Sequence, residues 1–285
     1  MKIVISAEST IDLQKDLLEQ LGIKTVPFGV FLGDKEYKDG EITTEEVFEY
    51  VTQTGVLPKT NAVNRFAYEE HFNNLLKEYD AVIHVSLSSE LSSAYENAKA
   101  VASGLNNVYV IDSRSLSTGI SLLCVYAKQL AEKIEEPKKI VEMVTDRIKS
   151  LQVSFVVDKL DYLYKGGRCS SLAAFGANLL KLHPRIVVSN GSMKSDKKYR
   201  GNMDKVVCEY VTDTLNDFNT PDKSIVFLTY TSATEETLVR IENQLKENGF
   251  ANVYKTKANC TIASHCGPKT LGILYFNDGN VNQTL

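Results

Sequence analysis

Along the first half of the chain, short β-branched runs alternate with segments of helical periodicity, and this alternation constrains the fold more than any other feature. Residues 2–6 form the first such run. Ser9-Thr10 then provide a helix cap, with Leu13, Leu17 and Leu21 on one face and Gly22 as the stop. Residues 23–32 are again β-rich, broken at Pro27 and turned at Gly33-Asp34. Thr43-Thr44-Glu45-Glu46 opens a helix, because a capping hydroxyl and a Glu three residues on satisfy each other's backbone N–H groups. The following helix turns Phe66, Phe72, Leu75 and Leu76 inward. A strand over 81–87, a helix over 91–102 and a strand over 107–111 come next. Helices over 116–134 and 137–151 end the series, the second with Pro137 in its first turn. Each parallel strand pair needs a crossover, and here the crossovers are helices, so the pattern favours a mostly parallel, doubly wound sheet.

After Leu151 the pattern changes. Strands over 153–157, 185–189 and 193–197 include a hairpin turned at Gly191-Ser192, and further strands fall at 224–229, 252–256 and 271–276. Amphipathic helices occupy 203–218 and 235–248. A chain of 285 residues accommodates two domains at ~150 residues each. The cut falls near 150: an N-terminal α/β domain over 1–150 and a C-terminal mixed α+β domain over 151–285. No repeat and no low-complexity linker marks the cut, and two domains without a loose tether share a fixed crevice, a favoured place for a ligand.

Composition narrows the function classes. Thirty-two basic against 36 acidic residues leave a net charge of −4, which offers no general attraction for nucleic acid. The opening MKIVISAES lacks the length and cleavage site of a signal peptide, and no run reaches the ~18–20 apolar residues of a membrane span. The five cysteines are scattered and contain no CxxC, so they read as reduced thiols of a cytoplasmic protein.

The usual catalytic signatures are absent: there is no GxGxxG, GxxxxGK[ST], HExxH or GxSxG. Gly267-Pro268-Lys269-Thr270 lacks the leading glycine of a phosphate loop. Cys260, His265 and Cys266 lack the second pair that a zinc site needs. What the chain does carry is hydroxyl-rich turns. The segment from Ser86 to Ser93 leaves a strand and opens a helix, where unpaired N–H groups and the helix dipole favour an anion and Ser92 and Ser93 would add donors. Lys59-Thr60-Asn61-Ala62 is a second polar turn, Asp112-Ser113 ends a strand, and His265 is a donor in a loop. Each serine also reads simply as a helix cap, and a lone His as a structural residue.

Several ordered motifs carry a resemblance. Ile5-Ser6-Ala7-Glu8-Ser9-Thr10-Ile11-Asp12-Leu13 opens the chain, followed by Val26-Pro27, by Tyr37-Lys38-Asp39-Gly40 with Ile42-Thr43, and by Pro58-Lys59-Thr60-Asn61. Ser88-Ser89-Glu90-Leu91-Ser92-Ser93-Ala94-Tyr95, Val110-Ile111-Asp112-Ser113 with Gly119, Leu163-Tyr164-Lys165-Gly166-Gly167-Arg168, Arg200-Gly201 and His265-Cys266-Gly267-Pro268 complete the set. In this order they resemble the DegV family, bacterial fatty-acid-binding proteins that serve a fatty-acid kinase, nearly end to end.

The resemblance implies a two-domain α/β fold with the acyl chain buried between the domains. It places the carboxylate-binding threonine on Thr60, the serine on Ser92 and a nearby histidine on His265. Asn61 and Ser93 complete the expected ligand-binding set, although the family has other residues there; Ala94 and Glu8 also depart, the latter standing for an Asp. Arg168 and Arg200 are the basic candidates for meeting the kinase or shielding phosphate, and each also reads as an ordinary surface or packing arginine. The implied role is a carrier, not an enzyme, with no cofactor, a long-chain fatty acid as ligand and a kinase as partner that converts it to an acyl phosphate. No nucleic acid and no integral membrane segment are implied, which leaves room for transient membrane contact. Two alternatives stand beside it: a lipid hydrolase or acyltransferase using Ser92 and His265, and a fatty-acid-responsive regulator.

Overall fold

The computed structural model describes residues 1–169 and 182–279. Its first sheet is wholly parallel, in the order β2 (Lys24–Val26), β1 (Ile3–Glu8), β6 (Ala81–Ser86), β7 (Val108–Asp112). Helices α3 (Arg65–Leu76) and α4 (Ala94–Ala102) pack on each other and on this sheet, as do α5 (Thr118–Ala131) and α6 (Pro137–Arg147). The second sheet has six strands in the order β10 (Ser192–Tyr199), β9 (His183–Ser189), β8 (Leu151–Val156), β13 (Leu271–Phe276), β11 (Ile225–Tyr230), β12 (Asn252–Lys257). Only its β11–β12 pair is parallel, so it is a mixed sheet. The fold is therefore a mixed α/β, two-domain architecture, with a parallel sheet in one half and a mixed sheet in the other.

Helix α5 is the layer the two halves share. It touches β1 and β6 on one side and β8 and β13 on the other, and ten of its residues are buried. A helix apolar on nearly every face is stable only with packing all round it, and a single hydrophobic cluster accordingly runs from Val4 through Leu123 to Phe155 and Leu274.

Pro27 separates two strands that join different sheets. Before it β2 pairs with β1; after it β3 (Gly29–Leu32) turns through Gly33 (φ +64°) into β4 (Lys35–Lys38). β3 also pairs antiparallel with β5 (Lys59–Asn61), giving a small sheet of order β4-β3-β5. Helix α2 (Thr44–Thr54) begins with the reciprocal Thr43–Glu46 capping box that the sequence predicts.

Three local expectations are corrected. Ser9-Thr10 do not cap a helix: residues Ser9–Ile11 form a 3-10 turn, and helix α1 (Lys15–Leu21) starts after Gln14 and ends on left-handed Gly22. Phe66 is 75% exposed, because the inward face of α3 runs through Tyr68, Phe72 and Leu75, and Phe66 lies about 200° round the helix from Tyr68. The hairpin turn is Asn190-Gly191 (φ +52° and +83°), one residue earlier than expected, the Asn-Gly pair suiting a turn with two positive φ angles.

Candidate ligand-binding site

A cavity of about 280 Å³ opens where the two halves meet. Its apolar wall is buried: Phe28, Leu87, Leu116, Met193 and Cys266 are each below 7% exposure. Its rim is polar, and there Asn61, Ser93 and Arg168 are exposed while Thr60, Ser92 and His265 are half-buried. Beyond the shared residues Leu116, Ile262 and Cys266, a narrower space continues against Phe155 and Leu274 of the mixed sheet.

Each polar side chain is presented by a defined element. Thr60 lies on β5, opposite Val30. His265 lies on helix α10 (Cys260–Cys266), and its Nε2 is 2.8 Å from Thr60 Oγ1. Burial, helped by the charge of Arg168, pulls the His265 imidazole down to about 4, so the ring is neutral at pH 7. When the neutral ring carries its proton on Nε2, it donates to Thr60 Oγ1 and the threonine's own proton is left to donate elsewhere. Ser92 precedes α4, and its Oγ accepts from the Ala94 N–H (3.2 Å), which again leaves the hydroxyl proton for another acceptor. The N-terminus of α4 adds the positive end of a helix dipole at the same rim.

His265 can approach only because two glycines let α10 lie against α7 (Asp161–Lys165). A Cβ on Gly166 would stand 2.7 Å from His265 Nδ1, and one on Gly267 (φ +76°) would stand 2.6 Å from the Tyr162 ring. Gly267→Ala is therefore expected to destabilise the protein by about 2–3 kcal/mol through backbone strain and overlap, lowering the melting temperature by several degrees. A thermal melt followed by circular dichroism checks this; an unchanged melting point would mean that α7 and α10 are not tightly apposed.

Behind the rim lies a buried polar hub that the sequence reading did not assemble. Glu8, wholly buried at the end of β1, accepts through Oε1 from Tyr68 Oη (2.6 Å) and Ser86 Oγ (2.6 Å), and through Oε2 from the Leu87 N–H (2.9 Å). His84 Nε2 is 3.1 Å from the same carboxylate, while its Nδ1 meets Ser6 Oγ, which in turn meets His71 Nε2. Burial alone would raise the Glu8 carboxyl, but the attraction of His84 and the hydrogen bonds from His84, Ser86 and Tyr68 hold it below the usual carboxylate range. The available signal was four polar residues, Ser6, Glu8, His84 and Ser86, inside strands buried on both faces.

Of the expected site residues, Thr60, Asn61, Ser92, Ser93, Arg168 and His265 line one cavity. Arg200 is exposed beyond the end of β10 and is not among the cavity-lining residues. Thr60 sits on a strand and not in a turn, and His265 on a helix and not in a loop; neither Lys-Thr-Asn nor the short, cysteine-bounded Cys260–Cys266 segment has a readable period. The acyl-transfer alternative requires Ser92 beside His265 and a carboxylate orienting the ring. Instead His265 Nε2 meets Thr60 Oγ1, and Ser92 Oγ accepts from a backbone N–H. Among the described residues, no helix is long and apolar enough to cross a membrane and no cluster of three or more His, Cys, Asp or Glu side chains could hold a metal.

Fold and site together define a class: two-domain α/β proteins built round an apolar cavity whose mouth carries hydroxyl and imidazole donors. The family model named DegV, described as an uncharacterised protein family, matches residues 2–278, and the chain belongs to the DegV family. It is 30% identical to a DegV domain-containing protein of Caldanaerobacter subterraneus subsp. tengcongensis, over 96% of this chain and 98% of that one. It is 28% identical to a fatty acid-binding protein of Thermotoga maritima, over 95% and 96% of the two chains. Among solved structures, a fatty-acid-binding DegV family protein of Thermus thermophilus superposes with a TM-score of 0.89 at 26% identity, covering 97% of this chain and 99% of the other.

Proposed function

We propose that this protein binds one long-chain fatty acid, with the carboxylate at Thr60, Ser92 and His265 and the tail along Leu87, Leu116, Met193 and Ile262, and presents the carboxylate to a fatty-acid kinase. The observation that carries the reading is that two hydroxyls, Thr60 and Ser92, and the His265 ring stand together at the mouth of a buried apolar cavity. A carboxylate taken partly out of water needs several charge-assisted hydrogen bonds, and this rim supplies them. The tail contributes about 0.8 kcal/mol for each CH2 it buries, enough for a C16 chain to bind after the cost of association. Fatty-acid binding by the Thermotoga and Thermus relatives supports the same assignment.

The kinase step needs the carboxylate oxygen to remain reachable, since that oxygen attacks the terminal phosphorus of a nucleoside triphosphate, breaking its bond to the bridging oxygen, to give an acyl phosphate and release the nucleoside diphosphate. The exposed rim residues Asn61, Ser93 and Arg168 fit this, as does the open groove of about 860 Å³ that shares Phe28, Asn61, Ala62 and Ser93 with the cavity. In this reading Arg168 steadies the incoming phosphoryl charge, and Arg200, outside the cavity wall, takes only a kinase-facing role. The protein itself is a carrier and not an enzyme, and it uses no cofactor. The reading extends to a division near residue 150, with the carboxylate-binding turns in the domain over 1–150 and the domain over 151–285 covering the acyl chain.

Protein purified from bacterial cells is expected to release a C14–C18 acid into organic solvent, at close to one molecule per chain by mass spectrometry. Preparations that are repeatedly empty and also refuse added palmitate and oleate would overturn the assignment.

A further inference from the structure

Asp12 and Asp39 belong to two of the opening motifs, yet neither lines the cavity and the proposed function leaves both unused. They form one cluster on the far side of α10. Asp12 is wholly buried in a left-handed conformation (φ +56°). Its Oδ1 accepts from the Asn259 N–H (2.8 Å) and its Oδ2 from Ser117 Oγ (2.5 Å). Asp39, 8% exposed, accepts through Oδ1 from the Thr261 N–H (3.3 Å) and through Oδ2 from Ser9 Oγ (2.9 Å). The Asn259 side chain closes the cluster by donating to Ser9 O (2.8 Å).

These bonds fix three cavity walls to one another. Asn259 and Thr261 bracket the start of α10, the helix that brings Ile262, His265 and Cys266 to the cavity. Ser117, itself strained at φ +52° and ψ −139°, begins α5 directly after the lining residue Leu116. Ser9 Oγ accepts from the N–H of the lining residue Phe28 (3.1 Å). Strained residues held by buried carboxylates persist only where surrounding structure overrides their local preference, and such places cluster round binding sites.

Burial pushes both carboxyls above the usual range, that of Asp12 well above it, against the hydrogen bonds from Ser117 and Asn259 for Asp12 and from Thr261 and Ser9 for Asp39; Asp39 adds to the rise of Asp12. Two costly groups are thus kept where their N–H partners open α10. Resting on the fatty-acid reading for its purpose, we propose that Asp12 and Asp39 are positioning residues of the binding site: they hold the start of α10 so that His265 Nε2 stays within hydrogen-bonding reach of Thr60.

The test uses the full chain with Asp39→Ala and Asp39→Asn, reading the His265 imidazole by NMR with its signals assigned through His265→Gln. The charged group facing that ring is Arg168, which neither variant alters. In the parent protein the ring is expected to titrate near 4. In Asp39→Ala it should move up by at least one pH unit towards the ordinary histidine value as α10 loosens, and in Asp39→Asn, which keeps an acceptor for the Thr261 N–H, it should stay. Palmitate affinity should fall about tenfold in Asp39→Ala, and the same change made on a His265→Ala background should cost less than twofold. An unmoved titration in folded Asp39→Ala, an equal displacement by Asn, or fully additive losses would each overturn the positioning role. If palmitate binds none of the proteins, the fatty-acid reading fails while the titration still decides the positioning. Should Asp39→Ala not fold, Asp39→Ser, with its shorter acceptor, takes its place and the same displacement is expected.

Discussion

Replacing Thr60 and Ser92 together by alanine is expected to weaken palmitate binding by roughly two to four orders of magnitude while the fold survives. Each hydroxyl donates to a charged group at a partly desolvated rim, where one such hydrogen bond contributes about 1.5–3 kcal/mol, and each 1.4 kcal/mol is tenfold in affinity. The tail contacts are untouched, so residual binding should still strengthen with chain length. The structural cost is moderate: Thr60 lies on an edge strand whose pairing with β3 uses the backbone, but its loss leaves the His265 ring without its Thr60 partner, and Ser92 loses one bond to the Ala94 N–H, each about 1 kcal/mol. Displacement of a fluorescent fatty acid at fixed salt, with circular dichroism on the same samples, measures both effects. Unchanged affinity in a folded double variant would remove these hydroxyls from the head-group site and reopen the question of what the rim recognises.

Much of this could be read without coordinates, for identifiable reasons. The strands of the parallel sheet and the helices that cross between them announce themselves because burial on one face or two imposes a period, as in α6 with Ile140 and Val144 buried. The Thr43–Glu46 box is legible because its chemistry is local. The cavity is assembled by contacts of the opposite kind. Thr60 and His265 are 205 residues apart, and nothing in Lys-Thr-Asn marks an edge strand or in Cys260–Cys266 a helix. Only motifs that travel together in a family mark those positions in advance. Phe66 shows the opposite error: its aromatic type suggests an inward side chain, but the buried face of α3 runs through Tyr68, about 200° round the helix from it. The Glu8 hub is hidden in the sequence for a related reason. A charged residue at a strand end reads as a surface residue until the tertiary fold brings Tyr68, His84 and Ser86 round it, from 60 to 78 residues away.

Removing that hub is expected to be the most damaging single change to stability. Glu8→Ala leaves the Tyr68 and Ser86 hydroxyls, the Leu87 N–H and the His84 ring without their shared acceptor in a site closed to water. Leaving several buried donors without their acceptor costs about 3–5 kcal/mol in sum, or roughly 6–20 °C in melting temperature for a chain of this size. Glu8→Gln keeps the shape but turns an N–H towards a group that already donates, and should cost about half as much. Acid acts separately on His71 and on Glu8. His71 is held down to about 4, by burial first and by His84 second, so the folded state prefers its neutral form; that stabilisation is complete above about 6.5 and is lost as pH falls towards 4. The folded value of Glu8 is depressed, so its contribution is present above the unfolded carboxyl value of about 4.3 and disappears only as pH falls through the lower folded one. Urea midpoints should therefore decline in parallel for the parent and Glu8→Gln between pH 6.5 and 4.5, and converge below pH 4. Curves already equal at pH 7 would mean that the carboxylate is not charged in the folded protein. The Leu87–Ser93 turn would then need another anchor, because Glu8 joins its first residue to α3, the helix that follows the Thr60 strand.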